Sequence, residues 1–378
     1  MQRFISDKQA ASVRLPLEQA SLLPLNCYSD SEFYRFEADQ LFMRNWLPVG
    51  RIDQVALPGQ YFTRELFDEP IVVIRGEQGL RALSNVCRHR GRIILEGAGQ
   101  CDKPNMTCPY HAWRYDLQGQ LMHAPHMERS EGFNCKSVRL PELALEVWQG
   151  FIFVNFDRDA APLGPQLAPL DKVLAGYNLA QMGCVDFERY TGNWNWKSTL
   201  DNFTEAYHQP LVHSSTIEPW VPCTQAVYED VEGPYNLFYM YTRNGDPFQT
   251  ILPPVQGLSE ENYRRTTVIN VFPYFHLLID PSSIMWLDCE IRCAEDHDLV
   301  WRLLAPNPVL GSPEFPAQKQ ELHGLLRPVW AEDEYACSGH ATGVRSRFSE
   351  AGRMSYMEKS LHQFYNWLLD QYQRPGTD

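Results

Sequence analysis

The sequence predicts an α+β chain of two domains, a small β-rich one followed by a larger one that mixes strands with helices. Three observations carry that expectation. Short β-branched and aromatic runs separated by turns recur between Tyr61 and Val154, a proline-bearing stretch without periodicity follows, and the chain closes on an amphipathic helical pattern. A length of 378 residues gives room for a sizeable core in each.

Taken in order, residues 1–40 read as an irregular, partly helical arm, because polar clusters alternate with short apolar pairs such as Leu22-Leu23. Tyr61-Phe62-Thr63 and Ile71-Val72-Val73-Ile74, then the turn Gly76-Glu77-Gln78-Gly79 and the run from Leu80 to Val86, form a hairpin pattern. Further strands are expected from Ala112 to Leu121, turning at Gln118-Gly119, and from Phe151 to Val154. Asp157 to Pro169 holds three prolines, which places a boundary there and divides residues 41–157 from residues 158–378. In the second domain Thr267 to Ile279 and Leu299 to Leu304 read as strands. The last helix is the clearest, with a capping box at Ser355 and Glu358 and one apolar stripe of Leu361, Phe364, Tyr365, Leu368 and Tyr372.

Composition narrows the function. At 44% apolar and 21% charged residues the chain is an ordinary globular one. Its 33 Lys and Arg against 47 Asp and Glu give a net charge of −14, which repels phosphate backbones and anionic lipid heads, so neither nucleic acid nor membrane is an expected partner. The first residues lack the apolar core of a secretion signal, and no run of about 18 apolar residues occurs, so a cytoplasmic location is expected. In that setting ten cysteines read as free thiols or metal ligands.

Four residues stand out at ligand spacing. Cys87-Arg88-His89 and Cys108-Pro109-Tyr110-His111 read as C-x-H, a gap of 18 residues, then C-x2-H, each half offering one thiol and one imidazole on a tight loop. Two such loops can enclose a 2Fe-2S cluster, with both thiolates on one iron and both neutral imidazoles on the other. Replacing two anionic ligands by neutral ones raises the potential from roughly −400 mV into a range of about −150 to +300 mV. A Cys2His2 zinc site takes the same donors, although zinc ribbons more often use C-x2-C pairs. Cys101, inside the intervening stretch, has no His two or three residues beyond it and reads as a bystander.

With the flanking His89-Arg90-Gly91 and the run Cys108 to Trp113, this pattern resembles the Rieske family. The gap is slightly longer than is usual there, which suggests an enlarged loop at Glu96 to Asn105.

A second constellation follows in the run from Trp194 to His213. Ser198 or Thr199 can cap a helix on which Asp201, Glu205 and His208 share one face. His213 is five residues beyond His208, about 140° away on a continuous helix, so Pro210 is expected to break the helix and let His213 swing back. Two imidazoles beside a carboxylate suit non-haem Fe(II) with positions left open for O2 and substrate. The resemblance supplies the carboxylate from Trp330-Ala331-Glu332-Asp333-Glu334, mapping it to Asp333 with Glu332 and Glu334 as competing choices.

The resemblance covers nearly the whole chain and is to the oxygenase subunit of Rieske non-haem iron enzymes. It implies a β-rich Rieske 2Fe-2S domain, a helix-grip catalytic domain, and a homotrimer in which the cluster of one subunit serves the Fe(II) of its neighbour. Glu205 would then orient His208 and, across the interface, His111 of the next subunit, with Asn202 lining or buttressing the same site. Most ring-hydroxylating members carry Asp there, and Glu resembles the subset acting on choline, carnitine and betaines. That favours hydroxylation or demethylation of a quaternary amine over cis-dihydroxylation of an aromatic acid. Because the chain has neither G-x-G-x-x-G after a strand nor a plant-type C-x4-C-x2-C run, a separate NAD(P)H-dependent reductase is required, with or without a ferredoxin.

Other residues have blander readings. Arg88, Arg90, Arg92 and Arg114 flank the cluster loops and either dock an acidic electron donor or satisfy local carboxylates. Leu287, Cys289, Ile291 and Cys293 alternate as in a strand, so Cys289 and Cys293 are expected to be buried thiols despite His297 nearby. His123 and His126 are expected in a loop. Tyr207, Phe272, Tyr274, Phe275 and His276 line a substrate pocket or fill the core. The contrasting reading, a zinc-stabilised binding protein without redox chemistry, accounts for the first constellation alone.

Overall fold

Two compact units make up the chain, Met43–Gly164 and, flanking it in sequence, Met1–Phe42 with Pro165–Asp378. The computed structural model describes Met1 and residues 3–375. The chain opens with α1 (Asp7–Val13) and α2 (Ser31–Gln40), both of the flanking unit. Ser6 and Gln9 close a capping box at the start of α1, and the Asp30 carboxylate caps α2 by accepting from Glu32 and Phe33.

The unit Met43–Gly164 carries ten strands, β1 (Leu47–Arg51), β2 (Gln60–Leu66), β3 (Glu69–Gly76), β4 (Gly79–Ser84), β5 (Ala98–Gln100), β6 (Asn105–Thr107), β7 (Arg114–Asp116), β8 (Leu121–His123), β9 (Glu142–Trp148) and β10 (Phe151–Asn155). Seven form an antiparallel sheet in the order β1-β10-β9-β4-β3-β2-β5, and β6-β7-β8 form a second, three-stranded one. The predicted hairpin is thus part of a three-strand meander, with Gly79 at φ +126° in the turn between β3 and β4. The stretch Glu96 to Asn105 is not simply an enlarged loop, because β5 within it pairs with β2. The two sheets share a core of Val72, Ile74, Leu83, Met106, Trp113, Tyr115 and Leu121, into which Cys87 and Cys108 are also packed.

Helix α3 (Leu163–Val173) runs through the stretch in which the prolines argued for a structureless boundary. Leu163, Leu167, Leu170 and Leu174 follow helical spacing and are all buried, and burying four leucines at roughly 1.5–3 kcal/mol each outweighs the lost hydrogen bond of Pro169. The flanking unit continues with β11 (Met182–Gly192), α4 (Trp196–Phe203), α5 (Gln209–Val212), β12 (Ala226–Tyr228), β13 (Tyr235–Tyr241), β14 (Arg265–Val271), β15 (Phe275–Ile279), β16 (Ile284–Cys293), β17 (Asp296–Pro306), α6 (Asn307–Leu310), α7 (Phe315–Gly343) and α8 (Lys359–Gln373). Its seven strands form one antiparallel sheet in the order β11-β17-β16-β15-β14-β13-β12.

The stretch Thr267 to Ile279 is two strands rather than one, turning at the cis Phe272-Pro273 bond. Cys289 is buried as expected, whereas Cys293 is exposed, because the register of β16 against β17 shifts between Ile291 and Cys293 and ends the alternation. Ser355 and Glu358 do form a capping box, on the single 3-10 turn that leads into α8, and the five stripe residues of α8 are buried. Helix α7 packs on α4 and β11, with Trp330 stacked on Trp301 at 5.3 Å, and α8 packs on β13.

A buried polar network holds α4 to its neighbours. Lys197 of α4 and Glu37 of α2 are both fully buried, with Nζ 2.9 Å from each carboxylate oxygen. Glu37 also accepts from Tyr372 at 2.5 Å and Trp196 at 3.3 Å. One turn on, Tyr28 and Tyr365 both donate to Asp201 Oδ2, at 2.5 and 2.9 Å. Burial pushes the Asp201 carboxyl up to about 7 from an ordinary 3.8, against the pull of the two tyrosines and Lys197.

A carboxyl that holds its proton more tightly folded than unfolded stabilises the fold at low pH and loses that contribution as pH climbs from about 4 toward 7. Replacing Asp201 by Asn should therefore flatten part of the pH dependence. Between about pH 5 and pH 8 the unfolding free energy of the wild type, from urea denaturation, should drop by on the order of 2 kcal/mol more than that of the variant. Parallel curves would contradict this.

Candidate metal centres

In the unit Met43–Gly164 the first constellation occupies two loops built alike. Val86 bridges Ile93 across one, and Thr107 of β6 pairs with Arg114 of β7 across the other. In each, the cysteine N–H donates to the carbonyl five residues on (Cys87 to Arg92, 2.9 Å; Cys108 to Trp113, 2.8 Å), and its carbonyl accepts from the residue four on (Gly91, 3.0 Å; Ala112, 3.1 Å). That fourth residue has positive φ in both, +72° for Gly91 and +55° for Ala112. An alanine in that region is uncommon, and the two hydrogen bonds of its loop hold it there.

Both thiols are buried and close enough to interact, while His89 and His111 lie outward with their Nδ1 atoms 3.2 Å apart, close enough for one metal ion to bond both. The pairs are segregated, sulfur inside and nitrogen outside, which suits a cluster with unlike irons. Trp113 stacks on His89 at 4.7 Å and 7°, fixing the ring, and buried Tyr115 lies 3.3 Å from Cys87 Sγ. Burial pushes the Cys87 thiol up, and burial with the nearby His111 and Arg90 pushes His89 down. Neither Trp113 nor Tyr115 was singled out from sequence as a support, although their alternation after the second loop signals two inward side chains.

Second-constellation residues lie in the flanking unit. Asn195, not Ser198 or Thr199, caps α4, its side chain accepting from Lys197 N–H. The helix ends at Phe203, so the expected face of Asp201, Glu205 and His208 does not form; Asp201 is committed to the tyrosines. Glu205 caps the next turn instead, its Oε2 accepting from the backbone N–H of Tyr207 and, at 3.1 Å, of His208. Pro210 starts a helix rather than breaking one, since it stands in the first turn of α5, where its missing N–H costs nothing. His208 and His213 are the N-cap and C-cap of that single turn.

Their imidazoles, 5.0 Å apart at 71°, meet Asp333 of α7. Asp333 Oδ1 is 3.0 Å from His213 Nε2 and 3.7 Å from His208 Nε2, and it accepts from Asn202 Nδ2 at 2.8 Å. One ligand atom from each of His208, His213 and Asp333 lies within 4.8 Å of the others. The other two acids of that run point elsewhere. Glu332 reaches His213 Nδ1 at 2.7 Å, and Glu334 pairs with Arg327 at 2.6 Å. On the far ring nitrogen of His208, Nδ1 is 2.6 Å from Glu205 Oε1. Burial pulls the His213 imidazole down, but Asp333 and Glu332 together more than reverse this and raise it above its ordinary value. This donor set fits a divalent iron, with two imidazoles and one carboxylate on one side and the other positions open.

The remaining candidates divide. Phe272, Tyr274, Phe275 and His276 are buried, while Tyr207 is exposed with Leu211 and Trp220 near it in sequence. His123 is exposed in β8 and His126 in the following turn, and His297 is buried against Thr199. A cavity of about 640 Å³, lined by Gln9, Pro24, Arg345 and Glu350 among others, holds no residue of either centre.

Residues 45–143 match the Rieske [2Fe-2S] domain, and residues 179–374 match the catalytic domain of ring hydroxylating alpha subunits. The carnitine monooxygenase oxygenase subunit of Escherichia coli (strain K12) is 35% identical over 206 residues, 52% of this chain and 53% of that protein, so the match spans about half that relative's length. The chloroplastic choline monooxygenase of Arabidopsis thaliana is 32% identical over 93% of this chain and 83% of its own. Among solved structures, the quaternary ammonium Rieske monooxygenase CntA shares the fold, with a TM-score of 0.82 at 23% identity over 96% of this chain and 98% of that one. No helix among the described residues is long and apolar enough to cross a membrane.

The Tyr115 hydroxyl offers a donor to a sulfur whose negative charge grows on reduction. Replacing Tyr115 by Phe should lower the reduction potential of the cluster, by about 59 mV if the lost bond costs a factor of ten in the one-electron equilibrium. A spectroelectrochemical titration with no shift would show that the hydroxyl is not a donor to the cluster.

Proposed function

The chain belongs to the Rieske non-haem iron oxygenases, among the ring hydroxylating alpha subunits, and from that membership we propose that it is a terminal oxygenase component that hydroxylates or oxidatively demethylates a small quaternary amine. The observation that carries this is the convergence of His208, His213 and Asp333 in a chain that also holds the paired Cys-His loops. Glu205, and relatives named for carnitine and choline, support the quaternary amine over an aromatic acid.

In this reading Cys87 and Cys108 hold one iron of the cluster, His89 and His111 the other, and His208, His213 and Asp333 hold Fe(II). Together the bound groups supply electrons one at a time and an open position for O2 and substrate. The chain's own part is to orient ligands. Asn202 steadies Asp333 from α4, and Glu205 steers His208 so that Nε2 faces the carboxylate. A carboxylate offers about four acceptor sites. Three of Glu205's are engaged by His208 Nδ1 and the N–H groups of Tyr207 and His208, which leaves one for an imidazole from outside. His111 of a neighbouring subunit in a homotrimer is the group that suits it, giving electrons a hydrogen-bonded path between subunits.

Electrons come from a separate NAD(P)H-dependent reductase, with or without a ferredoxin. Exposed Arg88, Arg90 and Arg114 around the cluster loops form a positive landing surface for an acidic donor, while Arg92 is taken by the local carboxylate of Glu96 at 2.7 Å. None of the ten cysteines is paired in a disulfide, Cys87 and Cys108 being the cluster ligands, and this suits a reducing cytoplasm.

Two measurements test this. Oxygen uptake with a surrogate reductase should be stimulated by quaternary amines such as carnitine, choline or a betaine and not by aromatic acids; the reverse preference would favour the dihydroxylating reading. Replacing Glu205 by Gln should leave iron and sulfide contents unchanged while turnover falls by about 100-fold. Undiminished turnover would reject the bridging role.

A further inference from the structure

The clamp on His213 has a partner that the proposed mechanism does not use. Glu332 and Asp333 are adjacent on α7, yet they meet the same imidazole on opposite sides, Glu332 Oε2 at Nδ1 (2.7 Å) and Asp333 Oδ1 at Nε2 (3.0 Å). Glu332 Oε2 is itself fixed, since Thr216 Oγ1 donates to it at 2.7 Å, and Thr216 N–H returns to the His213 carbonyl at 3.2 Å. The side chain of His213 is 2% exposed, so water does not offer Nδ1 an alternative acceptor.

We propose that Glu332 is a positioning residue that holds His213 in the tautomer with its proton on Nδ1 and so keeps Nε2 free to bind the metal. This rests on the reading of His208, His213 and Asp333 as the iron ligands. The physical reason is a competition between two neutral tautomers. With Glu332 present, Nδ1–H has a charged acceptor and Nε2 carries the lone pair. Without it, Nδ1 has no acceptor in a buried site, and the better tautomer places the proton on Nε2, where Asp333 Oδ1 accepts it. That arrangement satisfies the imidazole and the carboxylate with each other and masks two ligand atoms at once.

The two carboxylates that hold the iron histidines then have separate duties. Glu205 has an acceptor site left over for a second subunit, whereas Glu332 is spent on its own chain through His213 and Thr216. Loss of Glu332 should therefore be read in metal retention, and loss of Glu205 in electron delivery.

The test is Fe(II) affinity of the full chain, by anaerobic competition with a chromogenic chelator, in the wild type and in Glu332→Leu, Glu332→Gln and Asp333→Ala. Far-ultraviolet circular dichroism and the thermal unfolding midpoint serve in each as the check on folding. Glu332→Leu should bind Fe(II) about 10- to 100-fold more weakly. Glu332→Gln keeps an oxygen that can accept from Nδ1–H and should recover most of that loss, which a merely disrupted helix would not. Asp333→Ala should lose the mononuclear iron. If Glu332→Leu retains Fe(II) within about twofold of wild type while Asp333→Ala loses it, the positioning role is overturned and the ligand reading stands. If Asp333→Ala also retains it, both are overturned. Should Glu332→Leu fail that check, Glu332→Ala, which also lacks an acceptor, takes its place, a weakening of about threefold or more supporting the role and unchanged affinity overturning it.

Discussion

At the candidate metal centre each histidine has both ring nitrogens engaged by carboxylates, and the catalytic unit is arranged around that constraint. His208 and His213 turn one nitrogen each toward Asp333, and each has a carboxylate on the other, Glu205 and Glu332. The carboxylates are constrained in turn by backbone N–H groups, by Thr216 and by Asn202. Every group near the centre is thus held by a group one step further out, which fixes ligand direction before a metal arrives.

Such an arrangement is only as stiff as the helices that bear it. Helix α4 presents Asn202, and its opposite face is pinned by Lys197 against Glu37 and by Asp201 against Tyr28 and Tyr365. Glu37 and Tyr28 come from the N-terminal segment, far away in sequence, so the arm is part of the support of the centre. Breaking a buried ion pair leaves a charge uncompensated at a cost of about 3–5 kcal/mol, and the network therefore ties the position of α4 to the integrity of the whole unit. The cluster loops use a cheaper device. Two copies of one backbone hydrogen-bond pattern, closed by Gly91 and Ala112 in left-handed conformation, bring two sequence-distant Cys-His pairs into register.

Residue type and spacing made much of this legible. Cys87, His89, Cys108 and His111 are chemistry-bearing residues at short intervals, and the histidines of the second centre stand close together in sequence. The misreadings came where a competing interaction was not local. The spacing suggested one helix capped by Ser198 or Thr199 and running past His208, but the Glu205 side chain has backbone N–H groups to cap, and Pro210 belongs to the start of the next turn. Three prolines hid α3, whose leucine stripe reads as helical once Leu163, Leu167, Leu170 and Leu174 are counted together. Cys293 followed the strand alternation in sequence, and a bulge cancelled it. The roles of Glu37, Tyr28 and Glu332 depend on partners up to 337 residues away and leave no local pattern to read.

The central claim is that one chain houses two different iron centres, a cluster in the Cys-His loops and a single ion between α5 and α7. Its most direct measurement is the iron, zinc and acid-labile sulfide content of anaerobically purified, iron-reconstituted protein, taken with electron paramagnetic resonance after reduction. The account predicts coloured protein with iron and sulfide in a ratio of about three to two and a cluster signal from the reduced state. Colourless protein that holds zinc and no sulfide would contradict it.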